Sequence, residues 1–320
     1  MPPFVETILY VFILIVLGYV AVAARVLKEE TGDGLTDFVF TIAVPLLLFR
    51  TLAGASFDEG LPFGLWATYF AAVAVTWTSG HLIIRRVFWR DARAGVVAGV
   101  TAAFSNLVLV GIPLISGVFG PEGLLILSLI VSVHLVAMMA TSIVLFEWAI
   151  RRDGVATGSS NIGALVIGFF RQLLNNPLII GILCGFVAQF LSLPIPSLAS
   201  RLIDSLADLA GPVALFAMGM SLRRFGVKGH VVPAVNLSLC KLMLMPAVAM
   251  LGAYLFDLPP LTAQVAVVCA SLPAGVNAWL IASKFDTGQR LASTAMTIGT
   301  ALGAITTLFW AYLATLVFAV

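Results

Sequence analysis

The chain alternates between long apolar stretches of about twenty residues and short polar connections. Ten stretches are long enough to cross a hydrocarbon core as helices. They lie near 4–24, 35–54, 62–84, 94–118, 122–148, 177–193, 197–221, 231–256, 260–284 and 289–319. This pattern predicts an all-α polytopic membrane protein with ten transmembrane helices. Two of the stretches are interrupted. The fourth contains Ser105-Asn106-Leu-Val-Leu-Val-Gly111-Ile-Pro113, and the ninth contains Leu272-Pro273-Ala274-Gly275-Val276-Asn277. A shift of 167 residues lays 106–113 on 273–280 and also takes Asp37 to Asp204 and Pro45 to Pro212. The expected organisation is therefore an inverted 5+5 repeat with broken helices 4 and 9. Residues 1–150 form the first five-helix repeat, 151–176 a cytoplasmic linker and 177–320 the second repeat, inverted because five is odd. Within the linker, Ile162 to Leu174 is expected to form an amphipathic helix lying in the membrane interface.

Composition agrees with a bilayer. Hydrophobic residues make up 61% and charged residues 10%, with a mean hydropathy of +1.11, where a soluble domain carries about 25% charged residues. A net charge of +2 gives no footing for nucleic acid. Where the charges fall is more informative. Fourteen of the seventeen Lys and Arg follow spans 1, 3, 5, 7 and 9: Arg25, Lys28, Arg85, Arg86, Arg90, Arg93, Arg151, Arg152, Arg171, Arg223, Arg224, Lys228, Lys284 and Arg290. The opposite loops hold Asp58, Glu59, Glu122 and Asp257. Cytoplasmic loops collect Lys and Arg, so both termini are expected outside the cytoplasm. Phe4–Ala24 has its basic residues after it rather than before it, unlike a signal peptide, and is expected to stay in the membrane. Cys184, Cys240 and Cys269 lie in apolar stretches, as packing residues do.

Irregular backbone at membrane depth survives only inside protein or beside a wet cavity. Paired Gly/Pro interruptions in corresponding places of two halves point to the binding site of a secondary transporter. Gly111-Ile-Pro113 and Pro273-Ala274-Gly275 are expected to be the breaks. The half-helices starting there aim free N–H groups and partial positive charge at the membrane centre, an arrangement suited to a carboxylate. Ser105, Asn106 and Asn277 are polar neighbours able to bind substrate. Pro45, Pro212 and Pro246 are expected to be ordinary proline kinks.

His134, in the middle of span 5, is read either as a substrate contact and proton carrier or as a neutral packed histidine. Lys241, about ten residues into span 8, is expected to pair with Asp204 or Asp208 of span 7, as a structural ion pair or as part of an ion-coupling path. No enzyme, cofactor or metal is expected. His81, His134 and His230 are scattered, no His-Glu-x-x-His occurs, and Asp204 and Asp208 share one helix turn.

Asn106-Leu-Val-Leu-Val-Gly111-Ile-Pro113-Leu resembles the fourth-helix motif of the auxin efflux carrier family, and Leu272-Pro273-Ala-Gly275-Val-Asn277-Ala its ninth-helix motif. Ser293-Thr-Ala-Met and Leu145-Phe-Glu147 also resemble that family. The resemblance covers essentially the whole chain. It implies a scaffold part and a transport part, crossed helices 4 and 9 holding the substrate, elevator-type alternating access and a homodimer, and its bacterial branch implies a bacterial inner (plasma) membrane. The substrate-binding residues it marks, with those read above, are Ser105, Asn106, Val110, Gly111, Pro113, His134, Pro273, Ala274, Gly275 and Asn277. Candidates for ion or proton coupling are His134, Asp204, Asp208 and Lys241.

Two departures from the plant carriers stand out: the central loop is short, and Asn277 stands where they tend to have a second proline. The expected partner is therefore a small organic anion, auxin-like or a dicarboxylate such as malate or malonate. The alternatives are a sodium-coupled carrier like the bile-acid symporters and a sensor or channel on a transporter fold.

Overall fold

The computed structural model describes residues 3–55, 62–155, 162–227 and 229–319, with side chains from 167 onward in the linker helix. Asp58, Glu59 and Lys228, which entered the charge pattern, lie outside the described residues. The described chain is all-helical. α1 (Pro3–Ala23) is followed by α2 (Glu29–Phe38), which runs through a π-helical turn (Val39–Ala43) into α3 (Val44–Ala53). α4 (Phe63–Leu82) ends in a second such turn (Ile83–Val87). α5 (Ala92–Ala103), a third turn (Leu107–Gly111) and α6 (Ile112–Arg152) complete the first half. After α7 (Ile162–Leu174) come α8 (Pro177–Phe190), α9 (Ser197–Ala207) and α10 (Ala210–Phe225). α11 (Val231–Leu239) passes through a fourth π-helical turn (Cys240–Leu244) into α12 (Met245–Leu255), and α13 (Pro260–Ser271), α14 (Val276–Lys284) and α15 (Gln289–Val317) close the chain.

Helices dominate because hydrocarbon offers backbone N–H and C=O groups no partner except one another. Among the described residues, seven helical stretches are long and apolar enough to span a membrane, and α7–α8, bent by 70°, makes an eighth. α5 and α13 are shorter apolar helices, each the first part of a stretch predicted to be interrupted. α6 would be about 60 Å long if straight, twice the depth of a bilayer core. It is divided at Gly120, whose φ of 65° and ψ of −159° leave the helical region just before Pro121.

Three of the four π-helical turns end two residues before a proline: Ala43 before Pro45, Gly111 before Pro113 and Leu244 before Pro246. A proline in a helix lacks its N–H and pushes on the carbonyl one turn back, and a wider turn there absorbs both defects. Pro45 and Pro246 are thus the ordinary kinks expected of them. Gly111-Ile-Pro113 behaves the same way, which corrects the expectation that it breaks its helix. Gly111 is helical at φ −65° and ψ −48°, and the break lies upstream at Phe104–Asn106.

The helices form two bodies around one continuous core, with α1, α3 and α10 of the first packed on α6 of the second. In one, α1 lies on α10 and α3 lies on α8 and α9, with α2 on α10. Small residues permit these approaches. A Cβ on Gly18 would strike the Phe216 carbonyl, one on Gly219 the Ile15 carbonyl, and one on Gly181 the Pro45 backbone. The other body joins α4, α5, α6 and α11 to α15. Its main contacts are α4 with α5 and α12, α13 with α6, α12 and α15, and α11 with α15. Cys184, Cys240 and Cys269 are all free thiols.

Candidate functional site

The two breaks meet inside the second body. α5 ends at Ala103, and Phe104 turns extended at φ −81° and ψ 91°. α13 ends at Ser271, and Leu272 turns extended at φ −62° and ψ 145°. The two freed strands of backbone then pair antiparallel, Ser105 opposite Ala274. The Asn106 N–H donates to the Pro273 carbonyl at 2.9 Å, and the Gly275 N–H donates to the Phe104 carbonyl at 3.1 Å. Groups that each helix loses at its break are therefore satisfied by the other break, as burial in a lipid-filled setting demands. Close approach needs glycine: a Cβ on Gly275 would sit 3.3 Å from the Asn106 Cα, and one on Gly111 would sit 3.0 Å from Leu272.

The ends around the crossing are capped differently. Asn106 caps the helix it precedes, its Oδ1 accepting from the Leu109 N–H at 3.2 Å, while its Nδ2 faces the Met218 sulfur at 3.6 Å. Gly275 begins α14 with no side chain to cap it. The amides of Val276 and Asn277, in the first turn of α14, consequently lack intrahelical partners.

At the opposite end of the second break, the Lys241 ammonium donates to the Ala270 carbonyl at 2.6 Å and to the Met245 sulfur at 3.1 Å. The same sulfur lies 3.9 Å from the Ser105 hydroxyl. A cation at the C-terminal end of α13 complements the helix dipole and one of the carbonyls exposed there. Thr307 reaches the next carbonyl, that of Ser271, at 3.5 Å.

A small cavity of about 20 Å³, room for about one water, adjoins the crossing. Phe104, Ser105, Asn106, His134, Val276 and Asn277 are among its lining residues. His134 is buried at 3% exposure against the rings of Tyr69, Phe70 and Phe104, and neither ring nitrogen has a hydrogen-bond partner. The Asn277 side chain makes no hydrogen bond to another described group.

A second cavity of about 250 Å³ shares Phe104, Leu135 and Asn277 with the first and runs to Gln172, Asn176 and Lys284. Lys284 donates across that end to Gln172 at 3.2 Å. Neither cavity is lined by a carboxylate among the described residues. The arrangement offers N–H donors, an amide and an imidazole to a small anion, with cations behind and at the mouth.

Most of the residues singled out from sequence gather here. Ser105, Asn106, Pro273, Ala274 and Gly275 build the crossing, and His134 and Asn277 line the cavity. Val110, Gly111 and Pro113 lie in the helix beyond the first break, outside both linings, with Gly111 acting as a contact for Leu272.

One expected pairing is replaced. Lys241 does not meet Asp204 or Asp208. Those carboxylates hold Arg50, at 3.1 and 2.9 Å, in a half-exposed cluster joining α3 to α9. Lys241 binds a carbonyl instead, because the broken helix exposes one where no helix should. Phe104, Met245 and Met218 escaped notice in the sequence, and Lys284 entered only the charge pattern. The one usable signal was Met245 standing four residues after Lys241, one helical turn away.

Comparison with known proteins gives a consistent result. The family described as Membrane transport protein matches residues 3–311. The "Putative malonate transporter" of Rhizobium meliloti (strain 1021) is 31% identical over 310 residues, spanning 92% of this chain and 91% of that protein. "Auxin efflux carrier component 8" of Arabidopsis thaliana is 23% identical over 358 residues, 94% of this chain and 95% of the carrier. "Uncharacterized transporter YfdV" of Escherichia coli (strain K12) is 21% identical over 321 residues, 98% of each chain.

Proposed function

We propose, for a chain that belongs to the auxin efflux carrier family of membrane transport proteins, that its cargo is a small organic anion bound beside the crossing of its two broken helices. The observation that carries this reading is the buried, unpartnered His134 facing the same small cavity as the uncapped start of α14 and the unbonded Asn277. Donors that nothing in the protein satisfies, in a lining free of carboxylates, favour a carboxylate guest. The malonate named for the Rhizobium relative is one such guest, and it fits the about 250 Å³ available along the path toward Lys284.

The reading extends to ten spans, with helices 4 and 9 as broken pairs and the chain divided into repeats 1–150 and 177–320 around the linker. Exchange of the halves carries the α1–α10 contact onto the α3–α8 contact, which supports the inverted repeat. Both breaks lie on helices of one body, and Met218, Phe40 and Leu178 of the other face them, which supports elevator-type movement of the first body against the second. A homodimer, a bacterial inner membrane and extracytoplasmic termini complete the proposal. Lys241 supplies internal positive charge behind the site, and His134 is the candidate for proton coupling. Asp204 and Asp208 serve as a structural clasp on Arg50.

The test is uptake by the purified chain in liposomes, screening monocarboxylates, dicarboxylates and indole acids with and without sodium and across pH. Saturable uptake of a small carboxylate is expected. Currents far above carrier turnover, or binding without flux for every anion, would overturn the carrier assignment. A His134→Gln variant with unchanged rate and unchanged pH profile removes the proton role.

A further inference from the structure

Sharing no residue with the cavities at the crossing, three loops of the same body surround a cavity of about 700 Å³. They are the turn after α4 (Phe88 to Asp91), the start of α11 (His230, Pro233) and the α14–α15 connection (Thr287 to Leu291). Its charged lining is mainly cationic. Arg90 and Arg290 have no carboxylate within 4.0 Å among the described residues. The one lining acid, Asp91, is committed elsewhere: it accepts from the Ala94 N–H at 2.8 Å and pairs with Arg93 at 3.3 Å.

Three lining residues, Trp89, His230 and Gly288, have left-handed backbone at φ of 52°, 53° and 72°. For tryptophan and histidine that conformation is disfavoured and has to be offset by what it positions. Here it turns an indole and an imidazole to the same hollow as two free guanidinium groups.

The rim decides the chemistry of the occupant. Ile84, Phe88 and Trp89 line the cavity where the stretch 63–87 leaves the apolar zone, Trp89 at 86% exposure, and the exposed Val87, Val231 and Val232 are neighbours of lining residues in the chain. A soluble phosphate compound would leave that apolar rim bare. A molecule with an anionic head and hydrocarbon tails covers both parts.

We propose that this cavity is a binding site for an anionic phospholipid, its phosphate held by Arg90 and Arg290 with His230, its glycerol and upper acyl chains against Phe88 and Trp89. Each arginine near the headgroup layer adds attraction for an anionic lipid, and an indole belongs at that depth. The loops that bind the lipid are continuous with α4, α5, α11 and α15, so the lipid is held by the body that carries the crossing.

The test uses the full chain in lipid nanodiscs of phosphatidylcholine containing either brominated phosphatidylglycerol or brominated phosphatidylcholine, with quenching of tryptophan fluorescence as the readout. Subtracting the signal of Trp89→Phe isolates Trp89 from the other tryptophans. Phosphatidylglycerol is expected to quench the Trp89 component at roughly tenfold lower mole fraction than phosphatidylcholine. R90Q/R290Q should abolish that preference and R90K/R290K should keep most of it. All of these side chains are exposed or at a loop, so an unchanged melting temperature shows that the fold is intact. Equal quenching by the two lipids, no Trp89-dependent quenching by either, or a preference that survives R90Q/R290Q would each overturn the site. Displacement of the lipid by millimolar soluble glycerol phosphate would overturn the lipid assignment in favour of a water-soluble phosphate ligand.

Discussion

At the first break, Phe104–Asn106, the chain seals itself. Asn106 turns its own side chain onto the amide of Leu109, and a π-helical turn carries the backbone into a regular helix. At the second, Leu272–Gly275, the chain depends on help from elsewhere. Pro273 removes a donor, Gly275 contributes no cap, and the exposed Ala270 carbonyl is held by Lys241 from another helix. Both breaks reach the same two-bond crossing, yet the first starts its helix under a side-chain cap and the second starts its helix uncapped beside the cavity. Under the proposed reading the near-symmetric pair divides its work: the first break is the anchor, and the second carries the donors a guest can use.

That contrast can be broken outright at the glycine between the two. Gly275→Val adds bulk against the Asn106 backbone, where even a Cβ would sit at 3.3 Å. Overpacking of this kind costs about 2 kcal/mol, so a lower melting temperature together with loss of uptake is expected. Uptake at the wild-type rate would show that the backbones need not touch.

The two asparagines sharpen the contrast. Asn277→Ala removes a side chain with no internal partner, so substrate half-saturation should rise about tenfold, the worth of one good hydrogen bond to an anion, while melting stays unchanged. Asn106→Ala should do the opposite. Losing a helix cap costs about 1 kcal/mol of stability, read by thermal melting, with substrate affinity moved less than in Asn277→Ala. Reversed phenotypes would exchange the roles given to the two breaks.

The smallest effect concerns the outer ends of the same half-helices. α5 begins under Asp91 and Asp153, whose carboxylates accept from the amides of Ala92, Arg93 and Ala94, whereas α13 begins at Pro259 without a side-chain cap. Burial pushes the Asp153 carboxyl up. The amide donors and the Arg93 guanidinium outweigh it and hold the group below its ordinary value of 3.8. A carboxyl whose folded pKa is depressed lends stability that is complete above the unfolded value and disappears as pH falls through the folded one. Asp153→Asn should therefore melt slightly lower than wild type at pH 7, with the gap closing below about pH 3.8. A gap that is constant with pH would mean that the charge of Asp153 does not matter.

Much of this architecture could be read from the chain because a bilayer fixes how long an apolar run must be, and proline and glycine mark where regular backbone fails. Pro273 and Gly275 stand inside their break, so their break was legible. The first break contains neither residue type. It exists because the Pro273 carbonyl and the Gly275 amide wait across from it, a tertiary fact. Gly111 and Pro113, the local markers, pointed several residues too far along. Lys241 was legible as an oddity, but its partner was not. Sequence offers carboxylates as candidates, whereas the acceptor that Lys241 finds is a main-chain oxygen exposed when a distant helix stops.

The paired Ser105 and Ala274 have a property that outlasts any particular guest. Each strand gives one donor and takes one in return, so neither break can be drawn straight without stripping a donor and an acceptor from its counterpart. The two interruptions are thus locked into one joint, and a substitution that straightens either of them unseats both.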